Sequence, residues 1–273
     1  MYVIKLGGSE GIDVELFLDD LATLEETYVL VHGANAELDA LSRRLGIEPR
    51  QVSSADGQMS RFTDRETMDL FLMVYAGRVN KRIVEGLAKR GRRAAGLTGL
   101  DAGTIRGRRK EAIRIVENGK PRILRGDFAG SIETVDTEFL TILIDHGITP
   151  VLCPPAISAD GEAINVDGDK MAMEVAVALG AEKLLIFSNT RGLLRDTALP
   201  DSVVGAASLD ELDELLSFAR GRMKKKVLSC GNALRRGVEE VILADARVPT
   251  PVRRALAGAG THLRTSSSPV STT

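Results

Sequence analysis

The sequence feature that most constrains the fold is a pair of apolar runs that each end in a turn of small residues. Residues 1–6 are followed by Gly7 and Gly8, and residues 28–31 by the turn 32–35; helical spacing follows each turn. Strand, glycine turn and helix in succession are typical of a layered α/β domain. Parallel neighbouring strands would bring both turns to one edge, where glycine lets backbone N–H groups approach a phosphate closely.

A polar loop separates a predicted strand at 148–153 from a predicted helix at 171–179. It contains Asn165, Asp167 and Asp169. Backbone N–H groups are free at the start of a helix and its dipole is positive there. An amide and two carboxylates in this place could bind a polar substrate and orient cations. The alternative is that one aspartate simply caps the helix.

Composition narrows the class of function. A hydrophobic content of 44%, a charged content of 27% and a net charge of −2 give no argument for nucleic-acid or membrane binding. Cys153 and Cys230 lie in apolar surroundings, which favours free buried thiols, and the three histidines show no metal-ligand spacing. We find no signal-peptide pattern and no apolar run of about 18 residues, so we expect a cytoplasmic protein.

Residues 63–66 fit a capping box and predict the start of a long helix. This helix runs to about Lys89, with one apolar stripe at helical spacing and a second apolar surface around Met73. Because a surface helix needs only one stripe, we expect burial on two sides. The helix therefore either crosses the centre of the domain or forms a subunit interface; the pattern leaves both alternatives open.

Two hairpins and a basic run complete the first half of the chain. The turns 55–57 and 117–120 are each flanked by strand-like segments, and the second contains Asn-Gly. Residues 106–110 hold four basic side chains in a stretch of five. Such a run is usually a solvated face, but it would attract an acidic partner if it lined the mouth of a site.

The second half follows a helix end at Gly180. Its predicted elements are strands at 184–187 and 241–244 and a helix opened by a capping box at 208–211. The charged segment 221–227 interrupts the pattern before a helix continues towards Arg236. The Ser/Thr-rich end, 264–273, is predicted to be disordered.

Taken in order, several short motifs resemble the amino acid kinase family, and specifically its N-acetylglutamate kinase branch. The motifs are Lys5-Leu6-Gly7-Gly8, Val31-His32-Gly33, Ser60-Arg61-Phe62-Thr63-Asp64, Asn165-Val166-Asp167-Gly168-Asp169, Ser188-Asn189 with Gly192-Leu193, and Gly221-Arg222-Met223 leading to Lys226. The resemblance implies a three-layer αβα sandwich around a mostly parallel sheet. It also implies an acceptor-binding half at 1–179 and an ATP-binding half at 180–263.

The implied reaction transfers the γ-phosphoryl group of ATP to a carboxylate and gives an acyl phosphate. Both groups are anions, so catalysis is mostly positioning and charge stabilisation. By the resemblance, Lys5 lies beside the transferring phosphoryl group, Lys226 lies beside the leaving phosphates, and Asp169 holds both ammonium groups. The implied binding residues are, for the acceptor, Arg61, Asn165, Gly33 and Ala34, and, for ATP, Lys5, Gly7, Gly8, Ser188, Asn189, Gly192, Leu193 and Lys226.

Gly8 and Gly33 are expected to present backbone N–H groups to the phosphates. The family usually has further glycines after its His-Gly pair, whereas this chain has Ala34 and Asn35. Alanine still has an N–H, so that donation can survive. Mg²⁺ is expected to arrive with ATP, held chiefly by phosphate oxygens and water, and we assign no protein metal ligand.

Within this branch, the sequence resembles kinases that act on 2-aminoadipate, or on glutamate, joined through its α-amino group to a small acidic amino-group carrier protein. That implies lysine biosynthesis, or arginine biosynthesis. Free N-acetylglutamate kinase and a non-catalytic nucleotide sensor remain alternatives, although Lys5, Asp169 and Lys226 together argue against the sensor. A dinucleotide-binding oxidoreductase is disfavoured because the Gly-x-Gly-x-x-Gly fingerprint is missing after Leu6.

The resemblance further implies a homodimer, since in the family the helix corresponding to 66–89 packs against its counterpart. Arginine-sensitive relatives form hexamers through an extra N-terminal helix. Because the first predicted strand already begins at Val3, we expect a dimer without arginine feedback.

Overall fold

The computed structural model describes residues 1–54, 59–117 and 120–266. The strands in these ranges are β1 (Tyr2–Leu6), β2 (Tyr28–His32), β3 (Gln51–Ser54), β4 (Met59–Arg61), β5 (Ala94–Thr98), β6 (Ile105–Arg109), β7 (Ala112–Glu117), β8 (Lys120–Arg125), β9 (Gly130–Val135), β10 (Thr149–Cys153), β11 (Ala156–Ser158), β12 (Ala163–Ile164), β13 (Lys183–Ser188), β14 (Ala206–Ser208), β15 (Glu240–Asp245) and β16 (Thr261–Arg264). The α-helices are α1 (Val14–Leu21), α2 (Asn35–Arg44), α3 (Arg65–Leu72), α4 (Asn80–Lys89), α5 (Thr137–Asp145), α6 (Gly168–Ala178), α7 (Leu212–Phe218), α8 (Gly221–Arg235) and α9 (Pro251–Leu256). Among the helices of these ranges, none is long and apolar enough to span a membrane.

One central sheet has the strand order β14-β16-β15-β13-β1-β2-β10-β5, and its neighbours are parallel except for β15 and β16. Successive side chains of a strand point to opposite faces. In β1, Val3 packs with residues of α5 to α8, whereas Ile4 and Leu6 pack with residues of α1, α4 and α9. Helices therefore cover both faces, which confirms the predicted three-layer αβα sandwich.

Two smaller sheets extend the first half, with orders β12-β11-β6-β9 and β4-β3-β7-β8. The antiparallel pairs β3–β4 and β7–β8 confirm the two predicted hairpins. Of their predicted turns, residues 55–57 and 118–119 lie outside the described residues. The basic run lies largely in β6, which the sequence analysis did not predict.

The long helix is α3, a π-helical segment (Met73–Val79) and α4 in direct succession. Its N-cap is Asp64, whose carboxylate accepts the Thr67 N–H at 2.9 Å, so the expected capping box from Thr63 is wrong. Residues from both apolar surfaces, such as Val74, are buried against other parts of the same chain. The helix thus crosses the interior, and Met73 stays 61% exposed.

In the second half, the capping box at Ser208 is confirmed, but the segment 221–227 is not an interruption. It forms the first turns of α8, because its Arg, Met and Lys residues are good helix formers. The strand β16 includes Arg264, where the disordered end was predicted to begin, and residues 267–273 lie outside the described residues.

Candidate active site

Strands β1, β2 and β13 are parallel neighbours, so their carboxyl ends meet at one edge of the central sheet. Ligands of open α/β sheets bind outside this edge. The Gly7 N–H donates to Phe187 O at 2.9 Å, which ties the turn after β1 to β13. A Cβ atom on Gly8 would lie 2.2 Å from the Ala34 nitrogen, so glycine at this position is required for the two turns to meet.

The backbone donors of these turns differ from the expectation in one respect. The Gly33 N–H donates to Leu6 O at 2.9 Å, so it is not available to a phosphate as predicted. It extends the parallel ladder between β1 and β2 by one bond. The Gly8 N–H has no backbone acceptor among the described residues and is the donor that this edge offers, whereas the Ala34 N–H is directed at the hydroxyl oxygen of Tyr75.

The buried side chain of His32 hydrogen-bonds the backbone of the second turn. The imidazole is wholly buried, and burial lowers its pKa to about 4, so it is neutral at pH 7. Its Nε2 lies 3.1 Å from the amide nitrogen of Asn80, which also donates to Val151 O. Nε2 therefore accepts, and the Nδ1–H donates to Gly33 O at 3.3 Å. Sequence analysis found His32 only as part of a motif.

Three charged side chains meet beside the glycine turns. Lys5 Nζ lies 2.7 Å from Asp169 Oδ1, and Lys226 Nζ lies 2.5 Å from Asp169 Oδ2. Burial would raise the pKa of Asp169, but the two ammonium groups outweigh burial and hold that pKa well below its usual range. Burial and the charge of Lys5 lower the pKa of Lys226. Two cations on one carboxylate leave an excess positive charge, which attracts phosphate.

Local structure explains how these residues meet. Lys5 points to the same face of β1 as Val3, towards the layer of α6 and α8. Asp169 lies in the first turn of α6, where the Asp167 carboxylate caps the helix by accepting the N–H groups of Asp169 and Lys170. The sequence allowed an aspartate of this loop either to cap the helix or to orient cations. Asp167 does the first, and Asp169 does the second by binding the two lysines.

Arg61 and Asn165 are brought together by Thr63. The Arg61 guanidinium forms an ion pair with Asp39 of α2, while its Nη1 is buried without a hydrogen-bond partner among the described residues. Asn165 Nδ2 donates to Thr63 Oγ1 at 2.9 Å. Thr63 Oγ1 in turn donates to Arg61 O at 3.4 Å. A fully buried threonine after a strand gives no sequence signal for this role.

A cavity of about 500 Å³ opens between the hairpin strands and α8. Its lining includes the cations Lys110, Arg114 and Lys225 and the carboxylate of Asp127. Lys225, which precedes Lys226 in α8, brings this helix to the edge of the cavity. Its net positive lining suits an anionic acceptor.

The basic run does not act as one surface. Arg109 stacks on Phe128, with Cζ 3.6 Å from the ring centroid, and donates to Asp127 O and Glu162. Arg108 is 78% exposed and pairs with Glu133 at 3.1 Å. Arg108 and Arg109 point to opposite faces of β6, and of this run Lys110 is the residue that lines the cavity.

The predicted nucleotide residues follow β13. Ser188 Oγ lies 3.0 Å from Thr190 Oγ1 at the end of this strand, and Asn189 follows on the surface. A Cβ on Gly192 would lie 2.7 Å from Thr261 Oγ1, and the same hydroxyl accepts the Leu193 N–H at 2.9 Å. Leu193 is buried in the core, so its side chain anchors this loop from inside.

Within residues 1–54, 59–117 and 120–266, no three His, Cys, Asp or Glu side chains are grouped so that they could hold a metal ion.

A site with paired lysines, glycine turns and a cationic cavity at the carboxyl edge of a parallel sheet has the properties of a phosphoryl-transfer enzyme.

Comparison with known proteins agrees with this class. Residues 1–245 match the amino acid kinase family. The chain is 46% identical over 269 residues to the LysW-aminoadipate kinase of Thermus thermophilus, covering 97% of this chain and 100% of that one. It is 46% identical over 264 residues to the LysW-aminoadipate kinase of Deinococcus radiodurans, covering 96% and 90%. The chain belongs to the amino acid kinase family, and it is a phosphotransferase that acts on a carboxyl group.

A solved structure shares the fold. The N-acetylglutamate synthase of Neisseria gonorrhoeae, in complex with coenzyme A and N-acetyl-glutamate, superposes with a TM-score of 0.77 at 24% identity. The match covers 98% of this chain, which spans 60% of the length of the synthase. At this identity the likeness shows the amino acid kinase fold and nothing further about the reaction.

Proposed function

We propose that this kinase phosphorylates the side-chain carboxylate of 2-aminoadipate while the amino acid is joined to the carrier protein LysW. The observation that carries the proposal is the similarity, over nearly the whole chain, to two kinases named for that acceptor, together with the Lys5–Asp169–Lys226 cluster. The pathway would be lysine biosynthesis, in the cytoplasm, where ATP is available. Carrier-linked glutamate is the second acceptor to test, because it differs by one methylene.

In this proposal, each residue of the cluster has one task. Lys5 stabilises the negative charge of the transferring phosphoryl group, and Lys226 stabilises the charge on the leaving phosphates. Asp169 orients both ammonium groups, and the N–H group of Gly8 binds a phosphate oxygen. The proposed transfer is direct and includes no covalent intermediate with the enzyme. Fixed charges lower the barrier most when they lie where charge develops in the transition state.

ATP would bind over the end of β13, against Ser188, Asn189 and Gly192, with its phosphates directed to Lys5 and Gly7-Gly8. The acceptor would lie against Arg61, Asn165 and Gly33. This division assigns 1–179 to the acceptor and 180–263 to the nucleotide. Mg²⁺ fits the phosphate oxygens of ATP with water as its remaining ligands, and it would neutralise charge there.

The carrier is expected to raise the efficiency of the reaction through charge. We expect kcat/KM for the carrier-linked acceptor to fall about tenfold in the variant Lys110→Ser/Arg114→Ser at low salt, and less at high salt, since both cations line the acceptor cavity and long-range attraction is screened. Free N-acetyl-2-aminoadipate should lose less, because it lacks the additional negative charge of the carrier. Steady-state assays with both acceptors at two ionic strengths measure this.

The matched control is Lys89→Ser/Arg235→Ser, which removes the same charge from the exposed ends of α4 and α8. It should leave both acceptors unaffected. A salt-insensitive preference, or equal efficiency with free N-acetylglutamate in the wild type, would contradict the carrier proposal and favour the N-acetylglutamate kinase alternative.

We also propose a homodimer through the helix that contains Met73. This side chain is 61% exposed although both neighbouring helix faces are buried. The variant Met73→Glu is expected to shift the mass measured by light scattering from dimer to monomer, because a charge would be buried in an apolar contact. Leu199→Glu, at a loop position that is 59% exposed, is the control and should stay dimeric. A monomeric wild type would contradict this proposal.

A further inference from the structure

One buried carboxylate of the acceptor cavity has an unused oxygen. Asp127 lies between β8 and β9, is 2% exposed and lines the cavity. Its Oδ1 accepts the N–H groups of Thr63 at 3.2 Å and Ala129 at 2.9 Å. Its Oδ2 is buried and has no hydrogen-bond partner among the described residues. Since buried polar atoms are normally paired, this oxygen indicates a donor that comes from a bound molecule.

A second buried group without a partner has the opposite requirement. Arg61 Nη1 is a buried donor without a partner in the described residues. Thr63 joins Asp127 to the backbone of Arg61, because its N–H donates to Asp127 and its hydroxyl donates to Arg61 O while it accepts from Asn165 Nδ2. A molecule that carries a carboxylate and an N–H on the same carbon would satisfy a guanidinium donor and a carboxylate acceptor together.

We propose that Asp127 Oδ2 accepts a hydrogen bond from the α-nitrogen of the acceptor and so selects acceptors with an N–H at this position. The inference rests on the proposed function for the identity of the acceptor. An acylated nitrogen has one N–H, which one oxygen satisfies. A free ammonium group is disfavoured, because Lys110, Arg114 and Lys225 already make the cavity cationic.

Asp127 could instead serve only to join the loops that contain Thr63 and Ala129. The substitution Asp127→Asn separates these roles. It retains the oxygen that accepts the two backbone N–H groups, and it replaces the orphaned acceptor by an NH₂ donor. A joining role would be preserved in this variant, whereas recognition of an N–H would be reversed.

The test compares two free ligands that differ in one atom: N-acetyl-2-aminoadipate and its ester counterpart, 2-acetoxyadipate. Calorimetry in the presence of ADP measures both dissociation constants. We expect the wild type to bind the amide about 10- to 100-fold more tightly, because the ester oxygen meets a carboxylate oxygen and offers no proton. In Asp127→Asn the preference is expected to vanish or to invert, because the new NH₂ donates to the ester oxygen.

The control variant is Asp136→Asn, since Asp136 also accepts two backbone N–H groups, at the start of α5, outside the cavity. It should keep the wild-type preference. Equal binding of amide and ester by the wild type would overturn the inference without any variant, and so would an unchanged preference in Asp127→Asn. This test measures binding of free ligands and not turnover. Its result therefore does not depend on whether turnover assays support the carrier proposal.

Discussion

The Lys226→Ala variant is expected to lose about 10²–10³-fold in kcat, because it removes a preorganised charge from the leaving phosphates. Lys5→Ala should lose a similar factor on the side of the transferring group. Both side chains approach Asp169 within 2.7 Å and are largely buried, so water cannot replace either charge in the same position. Turnover with the acyl phosphate trapped as a hydroxamate measures the loss.

The matched control is Lys224→Ala, which removes an exposed lysine two residues earlier in α8. It should retain wild-type turnover. Near-normal kcat in either Lys226→Ala or Lys5→Ala, with the protein folded by circular dichroism, would contradict the roles proposed for the two lysines.

The second large effect is expected for Asp169→Asn. The variant leaves two buried ammonium groups without their shared carboxylate, so kcat should fall by about 10² or more and the protein should lose about 3–5 kcal/mol of stability. Binding of ADP should persist, because both cations remain. Turnover, thermal unfolding and calorimetry with ADP measure these three quantities.

Asp167→Asn is the control for the loss of one negative charge from the same turn. Asparagine caps a helix as well as aspartate does, and the oxygen that accepts the N–H groups of Asp169 and Lys170 is retained. This variant should be nearly as active and stable as the wild type. If Asp169→Asn behaved like Asp167→Asn, the orienting role of Asp169 would be wrong.

The sequence predicted the layers of the fold because local signals determine them. Apolar runs that end in small residues gave β1, β2 and their turns, and the family motifs pointed to Lys5, Asp169 and Lys226 as partners. The structure places these three within ion-pair distance although 57 positions separate Asp169 from Lys226. A local sequence pattern cannot reveal a contact between residues so far apart in the chain. Only the resemblance to the family predicted that these three side chains meet.

The sequence failed where a side chain is used by a remote part of the chain. Thr63 has the position of a helix cap, but its hydroxyl is taken by Asn165 and the helix is capped by Asp64. Arg109 has the pattern of a solvated charge, but it covers the ring of Phe128. In each case a tertiary contact, absent from local sequence, decides the outcome.

The insertion of β13 between β1 and β15 restricts how the enzyme can open. Five residue pairs, from Tyr2 with Lys183 to Leu6 with Phe187, join residues 1–179 to residues 180–263 in one continuous ladder. The halves cannot swing apart as hinged lobes unless that ladder breaks. Entry of ATP and release of product must therefore depend on parts outside the central sheet, such as the hairpins and the loop after β13.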